Sequence, residues 1–212
     1  QAPGGGRRSG RGWIYAISGE VSEARSHAVT AVQTWLAQDP HSRPDSELLT
    51  ALAHDDYRIR LAAQRALASR RSTAGALIEA ARNHRNQLAR VHALQALGQQ
   101  LRVQQTGLEK LLPLLKDQDP EIRAQYARQL TERPAPFARS ALLAALEDKN
   151  PRVRYFSILA LSRLAGDAET VTALARLARE NDDRDVYLRH AVAVTWERFA
   201  QKSGQDFLRV LA

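Results

Sequence analysis

The stretch Leu111–Leu130, LLPLLKDQDPEIRAQYARQL, holds two short amphipathic segments separated by a tight acidic turn. The first segment places four leucines on one face of a helix. Asp119-Pro120 then gives a helix start signal, because an acidic N-cap precedes proline at the first helical position. In the second segment apolar residues recur with helical spacing: Ile122, Tyr126, Ala127 and Leu130. One hairpin cannot bury both apolar faces alone, so the stretch predicts neighbours of the same kind.

The chain supplies such neighbours at regular intervals. An apolar residue followed by arginine opens each predicted second helix, and these arginines are 30, 33, 31 and 35 residues apart: Arg60, Arg90, Arg123, Arg154 and Arg189. Seven residues after each arginine stands a large apolar residue: Leu67, Leu97, Leu130, Leu161 and Trp196. Five copies with these offsets predict an all-α solenoid, a superhelix of stacked helical hairpins.

The same patterns divide the chain into four parts. Residues 1–12 are rich in glycine and arginine and are expected to form a flexible lead-in. Residues 13–44 contain WIYAIS at 13–18, which alternates like a β-strand, followed by a helical pattern over Glu23–Ala37. The repeats occupy 45–201, and 202–212 is expected to begin a further helix. The predicted repeats are 45–71, 72–104, 105–134, 135–166 and 167–201.

The acidic turn ahead of an apolar–arginine pair, together with this repeat length, resembles the HEAT repeat family, including its shorter bilin-lyase-like form. The resemblance covers about Asp45–Gln201. It implies an α–α superhelix. It says little about function, since such solenoids serve as scaffolds, receptors and occasionally enzymes.

The composition excludes several kinds of chemistry. The 212-residue chain contains no cysteine, so it has no disulfide, no thiol nucleophile and no covalent haem attachment of its own. No apolar run reaches the roughly 20 residues that a membrane-spanning helix needs. The chain also lacks methionine and begins at Gln1. We therefore expect it to be a piece of a longer protein.

The repeated arginines suggest a structural ladder. Four of them follow a turn that contains carboxylates: Arg60, Arg123, Arg154 and Arg189. The carboxylates assigned to this ladder are Asp56, Asp119 and Asp148. Because arginine and carboxylate form bidentate pairs, each arginine is expected to fix its turn to its own second helix or to the next repeat. For Arg123 the expected partner lies in the Asp117–Asp119 turn. Arg90 has no acid in its own turn and must take one from elsewhere or face solvent.

Positive charge is concentrated in one part of the chain. The formal net charge is +8, and residues 58–102 hold nine arginines against a single acid, Glu79. Such a field favours an anionic partner. The candidate anion-binding residues are Arg65, Arg70, Arg71, Arg82 and Arg85. The other interpretation is that these arginines cover solvated helix surfaces, and the scarcity of aromatic residues for base stacking favours it.

Motifs for catalysis or cofactor binding are missing. The six histidines form no HExxH motif, and no GxxxxGK[ST] or GxGxxG loop occurs, so no catalytic residue, metal or cofactor is predicted. One feature is enzyme-like. Alkylpurine DNA glycosylases built from HEAT-like helices use a tryptophan and an aspartate one helical turn apart, and Trp35 and Asp39 have this spacing. However, Trp35 lies outside the repeats and Pro40 ends its helix.

A second resemblance concerns the order of the segments. GWIYAIS, a helical spacer and turns such as DPEIRAQYAR and NPRVRYFSILALS are similar to bacterial multidomain membrane-bound dehydrogenases. The resemblance implies an extracytoplasmic protein with a sugar-dehydrogenase-like β-propeller before the HEAT segment and often a c-type haem domain after it. Its catalytic and haem residues would lie outside this chain.

Together these patterns predict a non-catalytic scaffold that contacts a protein partner or the adjacent domains of its parent chain. Two alternatives stay open. One is a solenoid that binds nucleic acid or another polyanion through residues 58–102. The other is an enzyme of the glycosylase or bilin-lyase type.

Overall fold

The computed structural model describes residues 23–104, 107–132 and 134–203. Within these ranges the chain is helical and contains no strand. Its α-helices are α1 (Glu23–Ala37), α2 (Asp45–Ala51), α3 (Tyr57–Ala68), α4 (Ala74–Asn83), α5 (Gln87–Gln104), α6 (Pro120–Leu130), α7 (Arg139–Ala145), α8 (Pro151–Leu161), α9 (Ala168–Asn181) and α10 (Val186–Ser203). Short 3₁₀ helices cover Pro40–Ser42, Arg71–Thr73, Leu108–Lys116 and Pro136–Ala138. The strand predicted at 13–18 lies outside the described residues, as does most of the helix predicted at 202–212.

The helices form five hairpins stacked in two layers. The second helices pack in series, α3 on α5, α5 on α6, α6 on α8 and α8 on α10. The first helices, α2, α4, Leu108–Lys116, α7 and α9, each pack against the second helix of their own hairpin. Helix α1 packs on α3 at one end. This arrangement confirms the predicted all-α, HEAT-like solenoid. None of the described helices is long and apolar enough to cross a membrane.

The second helices begin at polar N-caps. Asp56, Asp119 and Asn150 each accept a hydrogen bond at 2.9 Å from the amide two residues later. Asn86 accepts from the Ala89 amide at 3.1 Å, and Asp185 from the Tyr187 amide at 2.9 Å. Each cap satisfies an amide that the helix itself leaves unpaired. These caps fix where the repeated arginine lies relative to its turn.

The core is a continuous row of apolar side chains between the two layers. The residues before and seven after the repeated arginine are buried in the first four repeats, as in Ile59 and Leu67 or Ile122 and Leu130. The fifth repeat differs. Trp196 is only half-buried, and Phe199, one helical turn later, is the fully buried aromatic side chain of α10.

The first helix of the third hairpin is a 3₁₀ helix with Pro113 inside it. Leu108, Leu111 and Leu114 are buried there, and their spacing of three residues fits three residues per turn. A 3₁₀ helix is narrower than an α-helix and leaves space in the core beside α6. Tyr126 fills this space; its side chain is fully buried, and its hydroxyl donates to the Leu108 carbonyl at 2.6 Å.

Candidate functional site

The turns between first and second helices share one backbone design. In four of them, the side chain two residues before the N-cap accepts a hydrogen bond from the N-cap amide. The acceptors are His54 Nδ1 (2.9 Å), His84 Nδ1 (3.0 Å), Asp117 Oδ1 (2.9 Å) and Asp148 Oδ1 (2.8 Å). Such a bond closes the turn locally. It also holds the side chain at a fixed place on the edge of the solenoid.

The repeated arginine reaches back to the carbonyls of its own turn. Arg60 Nη1 donates to the carbonyls of His54 (2.5 Å) and Asp55 (2.7 Å). Arg123 Nη1 donates to those of Asp117 (2.7 Å) and Gln118 (3.1 Å). Arg154 Nη1 donates to those of Asp148 (2.7 Å) and Lys149 (3.4 Å). The sequence predicted that these arginines bind carboxylates of their own turns. In the structure, Nη1 of each arginine instead binds main-chain carbonyls of that turn.

The carboxylates come from the following repeat. Arg123 donates from Nε and Nη2 to the two oxygens of Asp148, at 2.7 and 2.9 Å. Arg90 donates from Nη1 and Nη2 to the two oxygens of Asp117 and from Nε to the Ala81 carbonyl at 2.9 Å. We call each such contact, between a repeated arginine and an aspartate in the turn of the next repeat, a ladder pair. Arg90 thus takes its acid from the next turn.

Two of the expected ladder acids have other roles. Asp56 caps α3 and pairs with Arg58 instead of Arg60. Asp119 caps α6 and accepts a hydrogen bond from the Gln87 amide group at 2.7 Å. Both face the start of their helix, so the arginine one turn later lies beyond their reach. Asp148 alone of the three pairs with a repeated arginine, and that arginine is Arg123 of the preceding repeat.

The ladder pairs are partly buried, and this burial affects the pKa values of their side chains. Burial works to raise the pKa of Asp148, but the hydrogen bonds from Arg123 and from the Asn150 amide outweigh it, so the pKa is lowered. The pKa of Asp117 is lowered in the same way by Arg90 and the Asp119 amide, against the effect of burial. The hydrogen bond to Asp148 raises the pKa of Arg123. Both pairs are therefore ion pairs at neutral pH.

The ladder changes at both ends. Arg60 Nε donates to His92 Nε2 at 3.2 Å in place of a carboxylate, and His92 Nδ1 lies 2.7 Å from Gln64 Oε1. Burial and the charge of Arg60 lower the pKa of His92, which keeps the imidazole neutral. Arg189 lies 3.4 Å from Asp183 of its own turn, and both side chains are more than half exposed. Arg154 has no carboxylate within ion-pair distance in the described part of the chain.

A row of side chains runs along the edge where the second helices begin. We call it the edge row; it consists of the residues two before each repeated arginine: Arg58, Leu88, Glu121, Arg152 and Tyr187. Leu88 is 44% and Tyr187 73% exposed. An ion pair between Arg152 and Glu121 shows that equivalent positions of stacked repeats are neighbours. Between α8 and α10 the row borders a mainly apolar pocket of about 390 Å³ lined by Tyr155, Phe156 and Tyr187.

The candidate anion-binding arginines are not all free. Arg70 pairs with Asp45 and donates to the His41 carbonyl at 2.7 Å. The four others are exposed and have no ion-pair partner among the described residues: Arg65, Arg71, Arg82 and Arg85. Arg65 lies on α3, and Arg71 lies in the short 3₁₀ helix before α4. Arg82 lies near the end of α4, and Arg85 lies in the turn between α4 and α5.

Trp35 and Asp39, the pair with glycosylase-like spacing, have separate surroundings. The guanidinium of Arg43 lies 4.3 Å from the centre of the Trp35 ring, and Arg43 also donates to the Trp35 carbonyl at 2.9 Å. Asp39 caps the short helix Pro40–Ser42 by accepting from the His41 amide at 2.9 Å. The described residues contain no group of three or more histidine, aspartate or glutamate side chains placed to hold a metal ion.

A family model for HEAT repeats matches residues 108–195, which run from the third hairpin into α10. No curated protein matches the sequence significantly. The matched residues make up less than half of the chain, and over them the sequence is similar to HEAT repeats. HEAT repeats generally mediate protein interactions and suggest a non-catalytic scaffold.

Proposed function

We propose that this chain is a non-catalytic scaffold that binds a protein partner along the edge row. The observation that carries the proposal is a repeated backbone position whose side chain changes from repeat to repeat and stays accessible. Three of its members are charged, Arg58, Glu121 and Arg152, and two are apolar, Leu88 and Tyr187. A surface of this kind offers specific contacts on a rigid support.

Exposed apolar area supports the same edge. Of the six large apolar side chains exposed in the described residues, four lie in the first turn of a second helix: Tyr57, Leu88, Val186 and Tyr187. Aromatic and aliphatic anchors at a pocket are what protein interfaces use for affinity. A partner segment that places an apolar side chain in the pocket beside Tyr187 and charged groups opposite Glu121 and Arg58 would complement the row.

The experiment compares three substitutions of exposed apolar residues. Leu88→Asp and Tyr187→Asp change the edge row, and Phe137→Asp changes the opposite layer at a side chain that is 43% exposed, against 44% for Leu88. Partners enriched on the wild-type chain in cells are identified by mass spectrometry, purified, and titrated against all three variants by calorimetry. We expect Leu88→Asp and Tyr187→Asp to weaken binding at least about tenfold and Phe137→Asp to leave it unchanged. A partner whose affinity is insensitive to both row variants would contradict the proposal.

A polyanion-binding solenoid is the second candidate. It is favoured by the four exposed arginines without ion-pair partners among the described residues: Arg65, Arg71, Arg82 and Arg85. Binding through them would weaken steeply as salt rises, because counterions are released. Fluorescence anisotropy with labelled duplex and single-stranded DNA decides between the candidates. Submicromolar binding at physiological salt, lost when Arg71, Arg82 and Arg85 are changed to glutamate, would favour the polyanion function.

As a finer part of the proposal, the scaffold connects a dehydrogenase-like β-propeller to a cytochrome c domain in an extracytoplasmic redox protein. Its support is the sequence resemblance of residues 12–18 and of the repeat turns. The parent gene tests it. A propeller encoded upstream and a CxxCH motif downstream would support the connector role, and their absence would remove it.

A further inference from the structure

Arg154 occupies the same place in its repeat as Arg123 but lacks its acid. In both residues Nη1 donates to the carbonyls of the preceding turn. In Arg123 the remaining Nε and Nη2 bind both oxygens of Asp148 from the next repeat. In Arg154 the same two nitrogens have no partner among the described residues. The guanidinium is half-buried and held in place by its turn, with one bidentate face open.

The reason lies in the turn of the fifth repeat. Its first helix runs further, to Asn181, and the next two residues adopt left-handed backbone, with φ of 43° at Asp182 and 56° at Asp183. As a result, the N-cap amide of Asp185 donates to Asn181 Oδ1 at 3.2 Å. In the other turns the N-cap amide donates to the side chain of the residue two before the cap. A neutral amide thus replaces the aspartate that would otherwise pair with Arg154.

The space beside Arg154 is a pocket of about 690 Å³ between α8, α9 and α10. This volume lies within the ordinary range for small-molecule sites. Leu146, Leu177 and Leu188 form an apolar part of the lining, and all three are buried. Apolar walls strengthen an ion pair by excluding water from it.

The acids around the pocket are already engaged. Glu147 pairs with Arg176, and Asp185 caps α10 by accepting from the Tyr187 and Leu188 amides. Glu180 lies 4.0 Å from Arg176. Arg184, also in the lining, donates to main-chain carbonyls of its own turn. Arg154 thus offers an open face of two nitrogens, Nε and Nη2, which suits a planar acceptor with two oxygens.

We propose that this pocket binds a carboxylate, which takes the place on Arg154 that Asp148 takes on Arg123. The carboxylate comes either from a free small acid or from an acidic side chain or C-terminus of a peptide. The proposal does not rest on the scaffold function, because a free acid could fill the site without a partner on the edge row; Asp185 lines both this pocket and the one beside Tyr187.

The test follows the arginine Nε signals of the ¹⁵N-labelled chain by NMR. Acetate, succinate and the peptide acetyl-Ala-Glu-Ala-amide are titrated, with chloride at matched ionic strength as the reference. We expect all carboxylates to shift the Arg154 Nε signal and chloride to leave it in place. Equal affinity for acetate and peptide assigns the site to free acids, and tighter binding of the peptide assigns it to a partner chain.

Two variants and a matched control accompany the titration. Arg154→Lys keeps the charge but loses the bidentate face, and Asn181→Asp adds a competing carboxylate within the pocket. Because Arg154→Lys removes the Arg154 Nε signal, binding to the variants is followed by the backbone amide signals of Leu177 and Leu188 in the pocket lining. Each variant should weaken succinate binding at least about tenfold. Arg179→Lys, an exposed arginine of α9 outside the pocket lining, should change it less than about twofold. Absence of any carboxylate-specific shift, or full affinity retained in both pocket variants, would overturn the proposal.

Discussion

At the scale of single residues, Arg123 shows how one side chain can hold two repeats. One nitrogen closes the turn ahead of its own helix, and two others bind the aspartate of the next turn. Its side chain is only 16% and that of Asp148 only 11% exposed. Removing one member leaves the other partly buried without its partner, which costs more than the pair contributes when intact.

We expect Arg123→Ala to lower the free energy of unfolding by about 2–4 kcal/mol. Arg152→Ala is the matched control, because Arg152 pairs across repeats with Glu121 but is 47% exposed; it should cost at most about 1 kcal/mol. Urea denaturation followed by circular dichroism measures both. The double variant Arg123→Ala/Asp148→Ala should cost less than the sum of the single changes. Strict additivity would show that the pair contributes nothing.

The ladder pairs also predict a pH dependence. Because the pKa of Asp148 is lowered in the folded state, its contribution is fully present above the unfolded value of about 4 and is lost as pH falls through the folded value. The difference in unfolding free energy between wild type and Asp148→Asn should therefore be largest near neutral pH and shrink below about pH 4. Asp55→Asn makes the same change at an exposed aspartate of another turn and is measured beside it as the control. Urea melts across this pH range provide the measurement.

The sequence singled out five repeated arginines and named Asp148 among the ladder acids, but it did not predict which acid pairs with which arginine. The arginines are visible because repeats place them at a constant offset from a local cap. The acid of each ladder pair lies 25 to 27 residues away, in a different repeat. Its identification needs the stacking geometry. The sequence did contain one signal for the ladder acids, because Asp117 and Asp148 both stand two residues before an N-cap. The role of Asn181 follows only from the longer turn of the fifth repeat.

At the scale of helices, local signals decided what sequence reasoning could predict. The starts of α6 and α8 follow from Asp119-Pro120 and Asn150-Pro151, because cap and proline act within one turn. The burial of Phe199 in place of Trp196 could not be foreseen. It depends on Gly166, which lies against the Phe199 ring. A Cβ at Gly166 would lie 2.4 Å from Phe199 Cγ.

Two glycine substitutions test this packing. Gly166→Ala should destabilise the fold by about 1–3 kcal/mol, since a fully buried ring must move to admit the methyl group. Gly75→Ala, in α4, meets no atom within 4 Å and should leave stability unchanged or raise it by up to about 1 kcal/mol. Thermal unfolding of the two variants measures the contrast. Equal melting temperatures would mean that the Gly166–Phe199 contact is not tight.

At the scale of the whole molecule, each described hairpin packs mainly against its neighbours in the stack. The stability of such a chain is close to a sum over repeats and the interfaces between them. Those interfaces are unequal. Ladder pairs join the second repeat to the third and the third to the fourth. Between the fourth and fifth, the inter-repeat ion pairs of Arg139 and Arg176 lie on more exposed side chains, which contribute less.

The left-handed turn of the fifth repeat thus has a consequence for the order in which the solenoid opens. We expect the three repeats joined by ladder pairs to unfold as one cooperative unit and the fifth to detach from it at lower cost. Native-state hydrogen exchange at low denaturant would then show amides of α9 and α10 opening separately from those of α5, α6 and α8. If all five repeats shared one opening free energy, the missing ladder pair would not weaken the interface between the fourth and fifth repeats. If the fifth repeat opens separately, the absence of one aspartate opposite Arg154 divides the superhelix into a cooperative body and an end that unfolds on its own.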